Sequence, residues 1–303
     1  MDTVKIALIL LITGLFRSAW AETHQVILVG PPDTPQLQAF RQSLTAQLVP
    51  DWQVGYVPLS EADKDLAAVP NALRITLGRD ALQWALAQPL QTTSPPILSL
   101  YVSQREFEFL IQNQGRPPHV SAIYADAPLV RQIRLARLIA PNAVRIGVLS
   151  YQPMTLELPE DLQRQAQIGN LPLNQADSLS RYLSETIRDC DILVGTDDPD
   201  LFNSVNIKPI LMTAYRHNKF LIGPGFGFVG AGSLASTYSS QSDTLHELAA
   251  WLRQYVRDQQ WPPPRHAREF SVVINSQVAR SLNLVLPDQT ELKRKLSALE
   301  GLK

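Results

Sequence analysis

Short β-branched runs alternate with helix-like stretches along this chain, and that alternation constrains the fold more than any other feature. From His24, the run QVILVG is followed by the amphipathic stretch PQLQAFRQSLTAQLV, and ALRITLG (72–78) is followed by DALQWALAQ. Parallel strands need a long crossover connection, usually a helix, whereas antiparallel strands need only a tight turn. The pattern therefore predicts an α/β protein with parallel sheets.

The alternation breaks at Pro141-Asn142 and then restarts. The strand-like runs VRIGVLSY, DILVGT and FLIGPG follow, each leading into a helix-like stretch. Two successive α/β halves predict two Rossmann-like lobes. In the second half we expect a short strand near LPLNQA (171–176) and a helix over 200–218 that breaks or kinks at Pro209, because proline disrupts a helix interior.

Residues 1–21 have the layout of a cleaved secretory signal peptide, with Lys5, an apolar core (6–16) and an A-x-A motif ending at Ala21. The core is well short of the roughly 20 apolar residues of a spanning helix, although an uncleaved membrane anchor is the alternative. Cys190 is the only cysteine, so neither a lipoprotein anchor nor an internal disulfide can form. We expect Cys190 to be a buried apolar filler rather than a reactive thiol. We expect the mature chain to be free in an exported compartment.

Charge and motif content argue against several classes of function. The formal net charge is −1 and no Lys/Arg cluster is present, which argues against a nucleic-acid partner and against a charged membrane surface. The five histidines include no helical metal pair, since His246-Glu247 lacks a second ligand at the required spacing. Neither a nucleophile elbow nor a phosphate-binding P-loop motif is present. We therefore expect a protein that is not an enzyme and that carries no metal or cofactor.

The loops at the carboxyl ends of the predicted strands are the expected ligand-binding regions, because open parallel sheets bind ligands there. After DILVGT come Asp197, Asp198 and Asp200, which either hold a metal, form a polar lip for a ligand or cap the next helix. A metal site needs further acids or a Lys on facing loops. We expect Asp198 to cap a helix begun by Pro199, Asp200 to interact with its dipole, and Thr196-Asp197 to form a ligand lip.

The segment Gly225 to Gly230 matches G-x-G-x-x-G, which is typical of dinucleotide-binding loops. That function requires the motif in the first βαβ unit and an acid about 20 residues later at the end of a strand. The segment lies late in the chain, and the following acids fall in a predicted helix. We expect a flexible, glycine-rich cleft loop that carries the exposed aromatics Phe226 and Phe228.

Several motifs, taken in order, resemble the substrate-binding proteins of the tryptophan-type ABC transporter family. FSVVINSQVARSLNLVLP (270–287) resembles the end of those proteins, and LARLIAPNAVRIGVLSY (135–151) is similar to their entry to the second lobe. DILVGTDD resembles their strand ending in Thr-Asp, and GAGSLAST their Gly-small-Leu-Ala-Ser segment. The resemblance covers most of the mature chain.

The resemblance implies a type I periplasmic binding protein, in which two lobes joined by three crossover strands close about a hinge on the ligand. It implies one lobe formed by 22–126 plus about 238–266, and a second formed by 127–237 plus about 267–303. Carried over residue by residue, and extended by the aromatics Tyr124 and Phe228, it gives these expected ligand-binding residues: Pro32, Thr34, Gly78, Arg79, Ser103, Gln104, Tyr124, Thr196, Asp197, Phe228, Gly232 and Ser233.

Two departures from the family pattern fall in the expected cleft. Val102 to Arg105 replaces a Thr-Asp-Pro motif, and Gly30 to Pro32 replaces a Glu-His motif, so an aromatic amino acid ligand cannot be carried over. Arg79 either binds a ligand carboxylate bidentately or is a solvated surface residue. Tyr124 either stacks on a ligand ring or packs at the hinge.

Together these features predict a monomeric exported protein that captures an amino-acid-like molecule or small carboxylate for an ABC importer, whose permease lies in the inner membrane. The alternative is a ligand-sensing or accessory periplasmic protein that signals to a membrane kinase or receptor. Both use the same interlobe cleft, and the residues do not separate them.

Overall fold

The computed structural model describes residues 23–66, 69–88, 95–112, 115–151, 158–165, 167–172 and 179–302. The predicted signal peptide lies outside the described residues. The strands are β1 (His24–Gly30), β2 (Trp52–Pro58), β3 (Leu73–Leu77), β4 (Ile97–Val102), β5 (Val120–Tyr124), β6 (Arg145–Ser150), β7 (Gln167–Pro172), β8 (Ile192–Gly195), β9 (Leu221–Ile222), β10 (Ala235–Tyr238), β11 (Arg265–His266) and β12 (Ser271–Ile274).

The helices cover the faces of two sheets. They are α1 (Pro35–Leu48), α2 (Ala62–Asp65), α3 (Arg79–Ala87), α4 (Gln104–Ile111), α5 (Leu129–Ile139), α6 (Glu160–Gln165), α7 (Leu179–Ile187), α8 (Ile207–Arg216), α9 (Phe226–Ala231), α10 (Gln241–Asp258), α11 (Ser276–Ser281) and α12 (Gln289–Leu299). A short 3₁₀ helix (Leu59–Glu61) precedes α2.

Each lobe is built on one six-stranded sheet. The first sheet has the order β11-β5-β4-β3-β1-β2, and the second has the order β12-β10-β9-β8-β6-β7. All neighbours are parallel except β10 and β12, which pair in antiparallel fashion at the edge of the second sheet. This confirms the predicted α/β class with two parallel-sheet lobes.

The apolar runs of the sequence become strands because both faces of these sheets are covered. On β1, Val26 and Leu28 pack against α1 and α10, while Ile27 and Val29 pack on the opposite face with Leu66. A strand buried on both faces is continuously apolar rather than alternating. The same holds for β8, all of whose residues are buried.

The chain passes between the lobes after β5, after β10 and after β11, so each lobe contains residues from distant parts of the sequence. Helix α10 follows a strand of the second sheet, yet its Leu248 and Trp251 are buried in the core of the first lobe. Helix α12 returns to the second lobe, where Leu292 and Leu296 are fully buried. The C-terminal segment therefore packs on a lobe instead of extending into solvent.

Some local expectations were wrong. The helix expected over 200–218 does not exist as one unit: 199–206 form turns, and α8 begins at Ile207. Pro209 lies in the first turn of α8, where the missing N–H costs no helical hydrogen bond. The segment expected to be a flexible glycine-rich loop contains α9, and the short strand expected near 171–176 runs from Gln167 to Pro172.

Candidate ligand-binding site

A cavity of about 730 Å³ lies between the lobes, where the carboxyl ends of the two sheets face each other. The first lobe contributes one face of α4, and the second contributes the ends of β6 and β8. A second cavity of about 380 Å³ shares part of this lining. The shared residues are Asp126, Ala127, Thr196, Asp197, Asp198 and Pro224. We call the larger cavity the first chamber and the smaller one the second chamber of a single cleft.

The acidic corner after β8 is held rigidly by its own hydrogen bonds. The Thr196 hydroxyl donates to the Leu149 carbonyl over 2.9 Å. The Asp198 carboxylate accepts the backbone N–H of Asp200 at 3.1 Å and that of Tyr151 at 3.2 Å. Asp198 therefore caps a turn and ties two strand ends together. The expectation that it caps a helix begun by Pro199 was wrong, and no helix is present there for Asp200 to stabilise.

Two side-chain contacts bridge the cleft at this corner. Arg105 of α4 lies 3.4 Å from the Asp198 carboxylate, and the Ser103 side chain is close enough to Asp197 to lower the pKa of that carboxyl. Ser103 also forms the capping box of α4 with Glu106, so its position is fixed by the helix end. The N-terminal end of α4 therefore contacts the acidic corner of the other lobe directly.

The Asp197 side chain is exposed to solvent in the cleft, although neighbouring protein groups remove part of its hydration. This desolvation raises the pKa of Asp197, and the negative charges of Asp126 and Glu106 raise it further. The hydrogen bond from Ser103 and the charge of Arg105 act in the opposite direction. The surroundings of Asp197 therefore do not fully stabilise the negative charge of its ionised carboxylate.

The floor of the cleft is the pair His266–Asp126, whose side chains lie 2.9 Å apart on two different crossovers. Asp126 also accepts the backbone N–H of Gln104 at 2.8 Å. Tyr124 lies beneath this pair, only 8% exposed, with its ring edge-on to both Phe107 and His266. Burial raises the pKa of Tyr124 to about 12, and nearby acids add to the effect.

The sequence-predicted residues separate into groups. Gln104, Thr196 and Asp197 line the first chamber, and Phe228 lines the second. Ser103 lines neither chamber but lowers the pKa of Asp197. Tyr124 lines neither chamber and packs at the hinge, which was one of the two alternatives for it.

Other predicted residues line neither chamber. Thr34 and Gly78 line a separate cavity of about 530 Å³ on the first lobe. Gly78 and Arg79 line a small one of about 160 Å³. Pro32 is exposed near these cavities without lining either. The Arg79 guanidinium lies 5.6 Å from the centre of the Phe109 ring and is outside both chambers.

Gly232 and Ser233 line neither chamber, and Gly232 is only half-buried. Gly232 has a φ of +123°, a conformation that favours glycine. Ser233 is fully buried against Gly223, where an added Cβ would lie 2.5 Å from the Ser233 hydroxyl oxygen. These residues shape the turn behind the second chamber and do not reach its surface.

Sequence reasoning missed several residues of the cleft. Arg105 was noted only as part of a departure from the family pattern, and Asp126 only as the boundary of the first lobe. His266 follows Asp126 by 140 positions, and the contact exists because two crossovers meet there. The position of a polar residue directly after a strand indicates Asp126 as a candidate binding residue. No local sequence pattern indicates its partner His266.

No set of His, Cys, Asp and Glu side chains within the described segments is arranged to hold a metal ion. Cys190 is buried, as expected, and burial raises the pKa of its thiol. Across the same segments, no helix combines the length and apolar character that crossing a bilayer requires.

Comparisons with other proteins show similarity of structure rather than of sequence. No family model and no curated protein matches the chain. Among solved structures, the chain is similar to an ABC domain in complex with L-Trp from Streptococcus pneumoniae, with 15% identity, coverage of 89% of this chain and 98% of that one, and a TM-score of 0.52.

The chain is also similar to the ligand-free, open structure of a substrate-binding protein with adhesive properties from Clostridium difficile. The identity is 15%, the match covers 88% of this chain and 96% of that one, and the TM-score is 0.65. A conserved domain protein from Vibrio cholerae gives 16% identity, coverage of 89% and 98%, and a TM-score of 0.53. At such identities the likeness establishes the fold alone. The chain therefore has the two-lobed α/β fold of type I periplasmic binding proteins, as its sequence predicted.

Proposed function

We propose that this chain is an exported solute-binding protein that captures a small organic ligand between its lobes and delivers it to an ABC importer. The observation that carries the proposal is the cleft of about 730 Å³ enclosed by both lobes. Ligand sites in proteins typically have volumes of about 300–1,000 Å³ and often lie at domain interfaces. The same proposal includes three further points about this chain. It is related to the tryptophan-type family, it is located in the periplasm, and it is a monomer.

The proposed mechanism is a shift between open and closed arrangements of the lobes. A ligand changes that equilibrium only by binding one arrangement more tightly than the other. A molecule in the first chamber would touch α4 on one lobe and the acidic corner on the other, so it would gain its full set of contacts only when the lobes are together. The Arg105–Asp198 contact shows that these two surfaces come within ion-pair distance.

The cleft is tested by a thermal-shift screen of the protein purified after expression of the full chain, against amino acids, peptides, small carboxylates and amines. A ligand that binds only the native state raises the midpoint of unfolding by an amount that grows with the logarithm of its concentration above Kd. We expect Asp197→Ala to reduce the shift given by a hit. The matched control is Asp200→Ala, an exposed acid of the same corner that lines neither chamber.

A hit whose shift is equal in both variants would place the site elsewhere. The importer role is tested separately by cross-linking in the native membrane. Recovery of a permease and an ATPase supports import, whereas recovery of a membrane kinase or receptor would favour the sensory alternative.

A further inference from the structure

The charges that line the cleft are strongly unbalanced. Among the described residues of the first chamber, one guanidinium, that of Arg105, accompanies four carboxylates. The carboxylates belong to Glu108, Asp126, Asp197 and Asp198. Arg105 is already paired with Asp198. Glu108 accepts a hydrogen bond from the neutral side chain of Gln104. Asp126 contacts His266, which balances the charge of Asp126 only when the imidazole is protonated.

The second chamber shares three of these four acids with the first and adds aromatic walls. Its described lining contains Asp126, Asp197 and Asp198, but no Lys or Arg. Its aromatic residues are Phe202, Phe226, Phe228 and Tyr238. The rings of Phe202 and Phe228 meet edge to face at 5.9 Å, and those of Phe226 and Tyr238 lie 4.8 Å apart.

Phe226 is 56% exposed, so the fold leaves a large apolar ring facing the cleft instead of burying it. Aromatic faces carry a negative quadrupole and attract cations, and rings beside carboxylates are a recurrent arrangement for binding ammonium groups. The repulsion between Asp126 and Asp197, which helps to raise the pKa of Asp197, would be relieved by a positive group placed between them.

We infer that the ligand of this cleft is a small organic cation, an amine or quaternary ammonium with an apolar body, whose charged head lies beside Asp197 and Asp126 and contacts the aromatic wall. The inference rests on the proposed function and narrows its ligand class. A free carboxylate is disfavoured, because it would face several acids while Arg105 is engaged by Asp198 and Arg79 lies outside both chambers.

Isothermal titration calorimetry with three probes of one shape tests the charge requirement. Phenethylamine is a cation, 3-phenylpropionate is an anion and phenylalanine is a zwitterion, and all carry the same phenyl-ethyl body. Choline tests the quaternary head. We expect phenethylamine or choline to bind at least about tenfold more tightly than 3-phenylpropionate, with an affinity that falls as salt rises.

Variants locate the head group. Asp197→Asn keeps the shape and the hydrogen-bonding partner of the side chain but removes its charge, so it should weaken cation binding by at least about tenfold. Phe226→Leu should weaken it by about two- to fivefold, the range of an exposed cation–π contact. Asp200→Asn, a change of the same kind at an exposed acid of the corner, should leave the affinity unchanged. Circular dichroism of each variant confirms that it folds.

Tighter binding of 3-phenylpropionate or phenylalanine than of both cations would overturn the inference, as would cation binding that Asp197→Asn leaves unchanged. Binding of a carboxylate that is weakened by Arg79→Ala would also overturn the inference. If such ligands bind in a manner that depends on Asp197, the inference fails while the proposed function stands. If no compound of the broader screen binds at all, both fail.

Discussion

At the scale of single residues, the cleft depends on a close approach that only glycine permits. Gly195 ends β8 and lines the first chamber. A Cβ added there would lie 2.8 Å from the Pro224 ring and 2.9 Å from the Phe202 ring. Contacts this short force neighbouring atoms to move, so Gly195 determines where the aromatic wall of the second chamber stands.

Gly195→Ala should therefore destabilise the protein by about 1–3 kcal/mol, the usual cost of overpacking a tight site. It should also weaken ligand binding, because Phe202 must shift. Urea denaturation measures the first effect and titration of a ligand the second. Gly225→Ala is the control, since an added Cβ there has nothing within 4 Å. Equal stability of the two variants would show that the close approach at Gly195 does not exist in solution.

At the scale of elements, the N-terminal end of α4 joins helix stability to the chemistry of the cleft. Ser103 accepts the Glu106 N–H at 3.2 Å, and hydrogen bonding from its side chain lowers the pKa of Asp197 on the other lobe. A second capping box, formed by Ser240 and Asp243, begins α10. The two boxes have the same local chemistry, but only the first borders the acidic corner.

Ser103→Ala should lower the free energy of unfolding by about 1 kcal/mol through loss of the cap. It should also raise the pKa of Asp197 further, because the hydrogen bond that favours the ionised carboxylate is lost. A carbon-13 NMR titration of the Asp carboxyls measures that pKa. Ser240→Ala should destabilise to a similar extent and leave the pKa of Asp197 in place. If the pKa of Asp197 is the same in Ser103→Ala, Ser240→Ala and the native protein, the Ser103 side chain does not act on Asp197 across the cleft.

Elements were predictable from the sequence where burial dictates composition. The runs that form β1 and β8 are continuously apolar because helices cover both faces of their sheets. Helix α9 was missed, because each glycine costs a helix interior about 1 kcal/mol relative to alanine and local propensity therefore argued against it. Its buried Val229 outweighs that cost. The pair His266–Asp126 was also beyond local patterns, since it depends on the path of the crossovers.

At the scale of the whole molecule, few polar contacts bridge the tip of the cleft among the described residues. The Arg105–Asp198 pair is partly open to solvent, with 53% of the arginine side chain exposed. Solvent-exposed ion pairs typically stabilise the arrangement that contains them by about 0–1 kcal/mol. The lobes are therefore held together here by an interaction small enough for a ligand to outweigh.

Arg105→Ala should move the unliganded molecule toward the open arrangement by at most about fivefold in the population ratio, the equivalent of 1 kcal/mol. Small-angle X-ray scattering should record a larger radius of gyration. Arg145→Ala serves as the control, because its partner Asp189, 3.8 Å away, belongs to the same lobe. High salt should reproduce the effect of Arg105→Ala on the native protein. A radius insensitive to both the substitution and salt would mean that this pair does not help to hold the lobes together.

The docking of α12 has a consequence for how the chain reaches its native state. Arg131 binds Glu300 at 2.7 Å, donates to the Ala267 carbonyl and stacks over Phe270, so the C-terminal end of α12 anchors a crossover. The first lobe likewise lacks α10 and β11 until residues up to 266 have been synthesised. Neither half can be completed while most of the polypeptide is still emerging from the ribosome. Both cores therefore depend on helices encoded late in the sequence, α10 (Gln241–Asp258) for the first lobe and α12 (Gln289–Leu299) for the second, so each lobe stays incomplete until those helices have been added.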